Sequence, residues 1–307
     1  MIELHDLRKE YPEVVAVNDL AVTIPQGEVY GLIGPNGAGK TTTIRMACGL
    51  LTPTSGNARI CGVDVHKDPE LAQANIGYLS DFFSVYEDLK VWEYLDYFAN
   101  AYKMPKPAIK RRIDQVIQQV GLEVKHDAFI KGLSRGMKQR LGIARAVIHK
   151  PKVLLLDEPA SGLDPKSRVD LRNLLLSLRD EGSTVLISSH ILSELEGFCT
   201  SIGVMEKGRM IRSGRIEQIV AEETKFRVIR VAWIGDSNVA GALSGVPGIG
   251  NFLAQGKEAV FHFSGDDAAL AEIPGVLAAR SVKLLSFGEV KQTVEEIYLK
   301  LSKHEVM

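Results

Sequence analysis

The sequence has few features of a secreted, membrane-spanning or strongly charged protein. It contains three cysteines in 307 residues, at positions 48, 61 and 199, and their spacing matches neither a zinc site nor a disulfide framework. No uninterrupted apolar run approaches the roughly 20 residues that cross a bilayer. The N-terminus alternates polar and apolar residues, unlike a signal peptide. The cysteine pattern indicates reduced thiols, so we expect an intracellular protein. The net charge of only −1 offers no general attraction to nucleic acid, so we expect none to bind.

Alternating and continuous apolar segments predict two kinds of strand. Hydrophobic residues make up 45% and charged residues 24% of the chain, a balance typical of globular domains. Short alternating segments at 2–7, 14–17 and 21–24 predict a small antiparallel sheet. Almost wholly apolar runs at 153–156 and 184–187 predict parallel strands that are covered on both faces. We therefore expect an α/β fold.

Helical periodicity dominates the middle of the chain. Apolar residues recur at helical spacing within 91–102 and again within 109–120. These stripes predict helices whose apolar faces pack against a core. A helical subdomain is therefore expected at about 81–150.

The C-terminal part of the chain predicts a second, smaller domain. Residues 225–307 give the order β-α-β-β-α-β-α, with a last helix over 292–302. This order resembles the ferredoxin-like arrangement. The predicted organisation is a domain at 1–215, a linker at 216–224 and a small α+β domain at 225–307.

A phosphate-binding motif follows the apolar strand at 29–33. Residues 34–41 match G-x-x-x-x-G-K-[ST], and a segment able to form a helix comes next. Glycines let backbone N–H groups turn inward around phosphates, and a helix N-terminus adds unpaired donors, so a turn that binds nothing is the weaker interpretation. Lys40 is the candidate partner of the outer phosphates, and Thr41 is a candidate Mg²⁺ ligand. The predicted triphosphate-binding residues are Gly34, Pro35, Asn36, Gly37, Ala38, Gly39, Lys40, Thr41 and Thr42.

Two acids, Asp157 and Glu158, end the apolar strand at 153–156. The carboxyl end of a parallel strand is where α/β proteins bind ligands. Asp157 is therefore a candidate Mg²⁺ ligand, and Glu158 is a candidate general base for an attacking water. Acids that end a strand are commonplace by themselves, but a phosphate loop upstream favours the catalytic interpretation.

A second anion site is predicted between these motifs. Ser134, followed by Gly136 ahead of a helix over 137–147, forms an N-cap with an open amide end. Two such helix ends cannot grip one γ-phosphate from the same side. The Ser134 end is therefore expected to bind a phosphate that another molecule presents.

These motifs resemble, in the same order, those of the ABC-transporter ATPases over roughly residues 1–214. Tyr11 lies where that family stacks an aromatic ring on adenine, although a strand-end tyrosine packed on the sheet is the alternative. Residues 161–164 resemble the family's loop after the acid pair, which implies a nucleotide contact for Asp164. Asp81 stands at the loop that enters the helical segment and is implied as a further Mg²⁺ ligand.

His190 follows the predicted strand at 184–189, where the family has a switch histidine. A histidine at such a position is by itself more often structural. The resemblance implies that His190 hydrogen-bonds the γ-phosphate and helps to fix the water beside Glu158. It thereby assigns a catalytic pair, Glu158 and His190.

The resemblance also implies fold, activity and partners. It implies a P-loop NTPase core with an antiparallel β subdomain and a helical subdomain, and the C-terminal domain resembles that of some ABC-2-type export ATPases. Two copies, as a homodimer or a heterodimer, would close head to tail on ATP and Mg²⁺. Closure and hydrolysis would drive an integral membrane permease from the cytoplasmic face of the membrane. Aromatic residues at 82, 83, 86 and 92 are the predicted docking surface for that permease.

The sequence departs from the family pattern at three positions. Asp81 replaces the usual glutamine, Arg135 replaces a small residue of the signature motif, and Met137 replaces its glutamine. A carboxylate still suits Mg²⁺ but adds negative charge beside a triphosphate. Asp81 and Arg135 keep open a nucleotide-gated regulator with negligible hydrolysis. A soluble ABC-type ATPase that acts as an assembly scaffold is a separate alternative. The transported substrate is not encoded in recognisable residues of this chain.

Overall fold

The computed structural model describes residues 1–81, 85–195, 197–223 and 226–290. The chain divides into two compact units, Met1–Ile216 and Glu217–Met307. The first unit carries the phosphate loop and the acid pair. The second unit has its own sheet and its own apolar core.

Ten strands of the first unit form two sheets. An antiparallel sheet has the order β2-β1-β4-β5, and a six-stranded sheet has the order β10-β9-β3-β8-β7-β6. In the second sheet β9, β3, β8, β7 and β6 are parallel, and β10 pairs antiparallel with β9. The strands are β1 (Ile2–Tyr11), β2 (Val14–Ile24), β3 (Val29–Ile33), β4 (Ser55–Ile60), β5 (Val63–Asp64), β6 (Ile76–Leu79), β7 (Val153–Leu156), β8 (Thr184–Ser189), β9 (Ser201–Glu206) and β10 (Arg209–Arg215).

The apolar strands lie at the centre of the mixed sheet. Every residue of β3, β7 and β8 is buried, as expected for strands covered on both faces. Parallel pairing brings their carboxyl ends to one edge of the sheet. The phosphate loop after β3 and the acids after β7 therefore meet at that edge.

One strand of the antiparallel sheet spans two segments that were expected to be separate strands. Separate strands were expected at 14–17 and 21–24, but both segments belong to β2. The pairing of β1 with β2 shifts register along its length, and Asp19 adopts a positive φ of 53°. The residues at this irregularity are typical of a turn, so the sequence predicted a turn where the strand in fact continues.

Six helices of the described residues complete the first unit, and a seventh begins at the last residue of that unit and belongs to the second. Ser134 caps α5 by accepting the Met137 N–H at 3.3 Å, and Asp164 caps α6 by accepting the Ser167 N–H at 3.0 Å. None of the helices in the described residues combines the length and apolar character needed to cross a bilayer. The helices are α1 (Lys40–Ala47), α2 (Pro69–Gln73), α3 (Val91–Ala101), α4 (Lys106–Gln119), α5 (Arg135–Val147), α6 (Pro165–Asp180) and α7 (Ile216–Glu223).

The helical region between β6 and β7 follows the predicted periodicity. Val91, Tyr94 and Leu95 form the buried stripe of α3, and Ile109 and Ile113 begin that of α4. The polar residues of both helices lie on the opposite faces. The predicted helices are therefore present, and they pack through the stripes that predicted them.

Helix α5 lies very close to strand β6 at Gly77. A Cβ atom on this residue would lie 2.3 Å from the carbonyl oxygen of Ala146 and 2.7 Å from a methyl group of Leu154. Because a backbone oxygen cannot move away as a flexible side chain can, the position requires glycine. Gly77 thus fixes the distance between the helical region and the sheet.

The second unit packs two helices on an antiparallel sheet. Its strands have the order β12-β13-β11-β14, and all the pairs are antiparallel. The described elements follow the expected β-α-β-β-α-β order, whereas the predicted helix over 292–302 lies outside the described residues. The elements are β11 (Arg227–Ile234), α8 (Val239–Leu243), β12 (Ile249–Gln255), β13 (Glu258–Phe263), α9 (Asp267–Ala279) and β14 (Lys283–Glu289).

Gly77→Ala is expected to lower the free energy of unfolding by about 1–3 kcal/mol, because the added methyl group overpacks the contact between α5 and β6. Gly132→Ala is the matched control, since a Cβ at that residue would meet no atom within 4 Å. Chemical denaturation followed by circular dichroism measures both variants. Equal stability of the two variants would contradict the close approach at Gly77.

Candidate functional site

The phosphate loop connects β3 to α1 and is held by close backbone contacts. A Cβ atom on Gly34 would lie 2.3 Å from the carbonyl oxygen of Met205. Gly39 has a φ of 102°, and a Cβ there would lie 2.4 Å from the carbonyl oxygen of Ala16. Glycine is required at both positions. Gly39 is also the N-cap of α1, so the first amides of that helix have no side-chain cap.

Lys40 is a buried cation at the base of this loop. Its Nζ donates to the carbonyl oxygens of Gly34 at 2.7 Å and Pro35 at 3.2 Å. The same Nζ lies 3.3 Å from Oε1 of Glu158, and the side chains of Lys40 and Glu158 are only 6% and 11% exposed. The loop thus orients its lysine toward the acid pair.

Asp157 makes hydrogen bonds to three elements, two through its carboxylate and one through its backbone N–H. The side chain of Ser188 donates to Oδ1 at 2.7 Å, and Thr41 donates to the same oxygen at 3.1 Å. The Asp157 N–H donates to the carbonyl oxygen of Leu79 at 2.8 Å. Asp157 is only 1% exposed, so these hydroxyl donors offset the cost of burying its charge.

Glu158 has an unusual backbone conformation that two hydrogen bonds hold in place. Its φ is 49°, a region that costs a non-glycine residue about 1–3 kcal/mol. Its N–H donates to Oγ of Ser188 at 2.9 Å, and its carbonyl oxygen accepts the N–H of Ser161 at 3.1 Å. The strained turn directs the Glu158 carboxylate toward Lys40.

His190 contacts the second carboxylate oxygen of Glu158. Its Nδ1 lies 2.8 Å from Oε2, and its ring is partly exposed at the end of β8. Glu158 therefore lies between a buried ammonium group and an imidazole. Such an arrangement fixes both oxygens of a candidate general base.

These groups share a pocket of about 690 Å³. It is lined by residues 36–42 of the predicted phosphate loop together with Asp81, Glu158 and His190. Burial raises the pKa of Asp81, as do the charges of Asp157 and Glu158, while Arg135 and His190 partly offset the rise. One pocket thus collects the amide end of α1 and two acids, Asp81 and Glu158.

Six predicted nucleotide-binding residues do not line this pocket: Tyr11, Gly34, Pro35, Ser134, Gly136 and Asp164. Tyr11 is 45% exposed at the end of β1, opposite Val14, which does line the pocket. Hydrogen bonds from the side chain and the backbone of Ser167 lower the pKa of Asp164. Because Ser134 and Gly136 do not line the pocket, the N-terminal ends of α1 and α5 do not share one binding pocket.

Several residues at or near the candidate site were not predicted to belong to it. Ser188 ties Asp157 to the backbone of Glu158, and Lys207, Ser161 and residues 14–16 form part of the pocket wall. A polar residue at the end of the otherwise apolar strand β8 was the available signal for Ser188. The other residues come from turns and strand ends whose proximity to the loop depends on tertiary packing.

The sequence profile of the ABC transporter family matches residues 17–161. An uncharacterized ABC transporter ATP-binding protein of Bacillus subtilis, YhcH, is 40% identical over 74% of this chain and 74% of its own length. The Nod factor export ATP-binding protein I of Cupriavidus pinatubonensis is 36% identical over 75% of this chain and 71% of that protein. The protein with the same name from Rhizobium meliloti is 33% identical over 99% of this chain and 89% of that protein.

Solved structures agree with these relatives. The structure of an ATP-binding subunit of an ABC transporter superposes with a TM-score of 0.66 and 31% identity, covering 73% of this chain and 93% of that one. The cbiO1 protein of Clostridium perfringens, described as part of the ABC transporter complex cbiONQ, gives a TM-score of 0.65 and 29% identity over 72% and 91%. The expected fold class is confirmed. The chain belongs to the ATP-binding proteins of the ABC transporter family.

Proposed function

We propose that this protein hydrolyses ATP to power export through a separate membrane permease. ATP binding and hydrolysis belong to the family, and the export direction is supported by relatives named Nod factor export ATP-binding proteins, one of which aligns over 99% of the chain. The observation that carries the proposal is the contact of Glu158 with both Lys40 and His190 inside the phosphate-loop pocket.

The pocket residues suggest how hydrolysis proceeds. Lys40 and the amides at the start of α1 bind the outer phosphates and stabilise the charge that develops on them. Glu158 accepts a proton from the attacking water. His190 holds Oε2 of Glu158 through its 2.8 Å contact and orients the carboxylate toward that water.

Two side-chain oxygens near the phosphate loop fit a magnesium ion. Thr41 Oγ1 and Asp157 Oδ1 lie 3.1 Å apart at the edge of the sheet. Mg²⁺ prefers one or two protein oxygens together with phosphate and water oxygens. Consistent with so few protein ligands, no group of three His, Cys, Asp or Glu side chains suited to a metal occurs in the described residues. Thr41 and Asp157 would hold the ion, with Asp81 beside them, and the ion would neutralise phosphate charge.

A second copy or a close relative completes the site in this proposal. Ser134 caps α5 with its side chain, and Gly136 lies in the first turn of that helix, outside the phosphate-loop pocket. A capped helix end with exposed amides suits an anion from a partner molecule. Head-to-tail pairing, as a homodimer or a heterodimer, brings Ser134, Gly136 and Asp164 of one copy to the ATP held by the other. Tyr11 stacks on adenine in the same arrangement.

Exposed tyrosines on the helical region support a permease-docking surface. Tyr86 and Tyr97 are 58% and 55% exposed, and their rings meet edge to face at 6.0 Å. Exposed aromatic pairs of this kind are common in protein interfaces. Trp92 instead stacks on His126, and Phe82 and Phe83 lie outside the described residues. The protein would thereby be held at the cytoplasmic face of the membrane.

Glu158→Gln is expected to reduce kcat by about 100-fold or more, because the amide cannot accept the proton of the attacking water. The affinity for ATP is expected to stay within about twofold, since Lys40 and the loop remain. A steady-state ATPase assay and isothermal titration calorimetry measure the two quantities. Glu181→Gln, an exposed change at the end of α6, is the control. Undiminished turnover in Glu158→Gln would refute the general-base assignment.

Ser188→Ala is expected to lower kcat about tenfold, because Asp157 loses a donor and the Glu158 N–H loses its acceptor. Ser189→Ala is the matched control. Ser189 is equally buried and also makes two side-chain hydrogen bonds, to Ile191 and Glu194. Both variants are expected to lose stability, but only Ser188→Ala loses turnover. Equal kcat values for the two variants would count against the positioning of the acid pair by Ser188.

Tyr97→Ala is expected to weaken the retention of the protein in membrane fractions about tenfold, because it removes an exposed aromatic anchor. Val124→Ala is the control, since Val124 is 90% exposed in the same helical region. Membrane fractionation with immunoblotting compares these variants with the unaltered protein. If fractionation of cells finds the unaltered protein wholly in the soluble fraction, a role as an assembly scaffold is favoured over a role as a transporter motor.

A further inference from the structure

The first turns of α5 and α6 are in close contact. A Cβ atom on Gly136 would lie 2.6 Å from Oγ of Ser167, in the first turn of α6. Ser167 also donates its hydroxyl to the Asp164 carboxylate at 2.6 Å. The start of α5 is thereby packed against the loop that leads into α6, with no room for a side chain at residue 136.

Arg135 adds a directional contact to this packing. Its Nη2 donates to the carbonyl oxygen of Ser161 at 2.8 Å. A Cβ atom on Gly162 would lie 2.3–2.5 Å from three atoms of the guanidinium group. Gly162 also has a φ of 64°, a backbone conformation that favours glycine. The guanidinium group therefore lies directly against the turn formed by residues 161 and 162.

This turn forms part of the catalytic pocket. Ser161 lines the pocket, and its N–H donates to the carbonyl oxygen of Glu158 at 3.1 Å. A short chain of hydrogen bonds thus runs from Arg135 through Ser161 to the strained backbone of Glu158. The charge of Arg135 also reaches the pocket, because it counteracts the rise in the pKa of Asp81.

We propose that Arg135 is a positioning residue that holds the turn at residues 161 and 162 and thereby the orientation of Glu158. This inference rests on the proposed ATP hydrolysis. It makes Arg135 act through Ser161 within its own chain, without touching ATP. A residue of this kind affects the rate of the chemical step more than the affinity for the nucleotide.

The test compares Arg135→Ala, Arg135→Lys and Arg140→Ala in the full-length protein. Arg140 is the matched control, because it also extends from α5 and donates to two backbone oxygens, those of Val120 and Gly121, at 3.2 Å each. Those acceptors do not line the phosphate-loop pocket. For each variant, a steady-state ATPase assay gives kcat, calorimetry with a non-hydrolysable ATP analogue gives Kd, and thermal denaturation gives Tm.

Arg135→Ala is expected to lower kcat about tenfold and to leave Kd within about twofold. Arg135→Lys keeps a donor for the Ser161 oxygen and is expected to recover part of that loss. Arg140→Ala is expected to lower Tm but to keep kcat within about twofold. If Arg135→Ala does not fold, a lower kcat in Arg135→Lys than in Arg140→Ala supports the proposal, and equal values overturn it.

Other outcomes would overturn the inference. An unchanged kcat in Arg135→Ala, or equal losses in Arg135→Ala and Arg140→Ala, would reduce Arg135 to an ordinary structural residue. A weakened Kd with an unchanged kcat would make it a direct phosphate contact instead. If Glu158→Gln is inactive while Arg135→Ala is normal, only this inference fails. If the unaltered protein does not hydrolyse ATP, the proposed function fails with it.

Discussion

The buried carboxylate of Asp157 is the interaction on which the arrangement of the site depends. It accepts hydrogen bonds from Thr41 at the start of α1 and from Ser188 at the end of β8, while its own N–H binds the end of β6. A charge that is 1% exposed is stable only with such donors. The hydrogen bonds of Asp157 therefore hold the start of α1, the end of β8 and the end of β6 together. This network also positions Glu158, because Oγ of Ser188 accepts the Glu158 N–H.

The candidate site separates the phosphate-loop pocket from the N-terminal end of α5. Lys40 and the start of α1 share a pocket with Glu158 and His190, whereas the Ser134 cap of α5 lies outside it. The contact of Arg135 with Ser161 links these two parts within one chain. Because the α5 end and the catalytic turn touch each other, a partner phosphate bound at Ser134 would be sensed next to Glu158. In the proposed dimer, this contact would let the ends of α1 and α5 act on one reaction.

The sequence predicted what depends on local pattern and missed what depends on long-range packing. Apolar runs predicted β3, β7 and β8, helical stripes predicted α3 and α4, and the family and fold class are confirmed by the comparisons. The hydrogen bonds of Ser188 to Asp157 and Glu158 and the pocket position of Lys207 could not be predicted, since they depend on contacts between segments far apart in the chain. Arg135 was noticed only as a departure from a motif, because its partner Ser161 lies 26 residues away. The roles of all the candidate site residues, including Tyr11, Ser134 and Asp164, stay predictions.

A structure of the Glu158→Gln protein with Mg²⁺ and ATP tests the central claim most directly. It is expected to show the triphosphate between Lys40 and the start of α1, with Thr41 and Asp157 on the magnesium side. Ser134 of a second molecule is expected within hydrogen-bonding distance of the γ-phosphate. A triphosphate bound elsewhere, or a Ser134 side chain that lies away from every phosphate in a closed pair, would contradict the account.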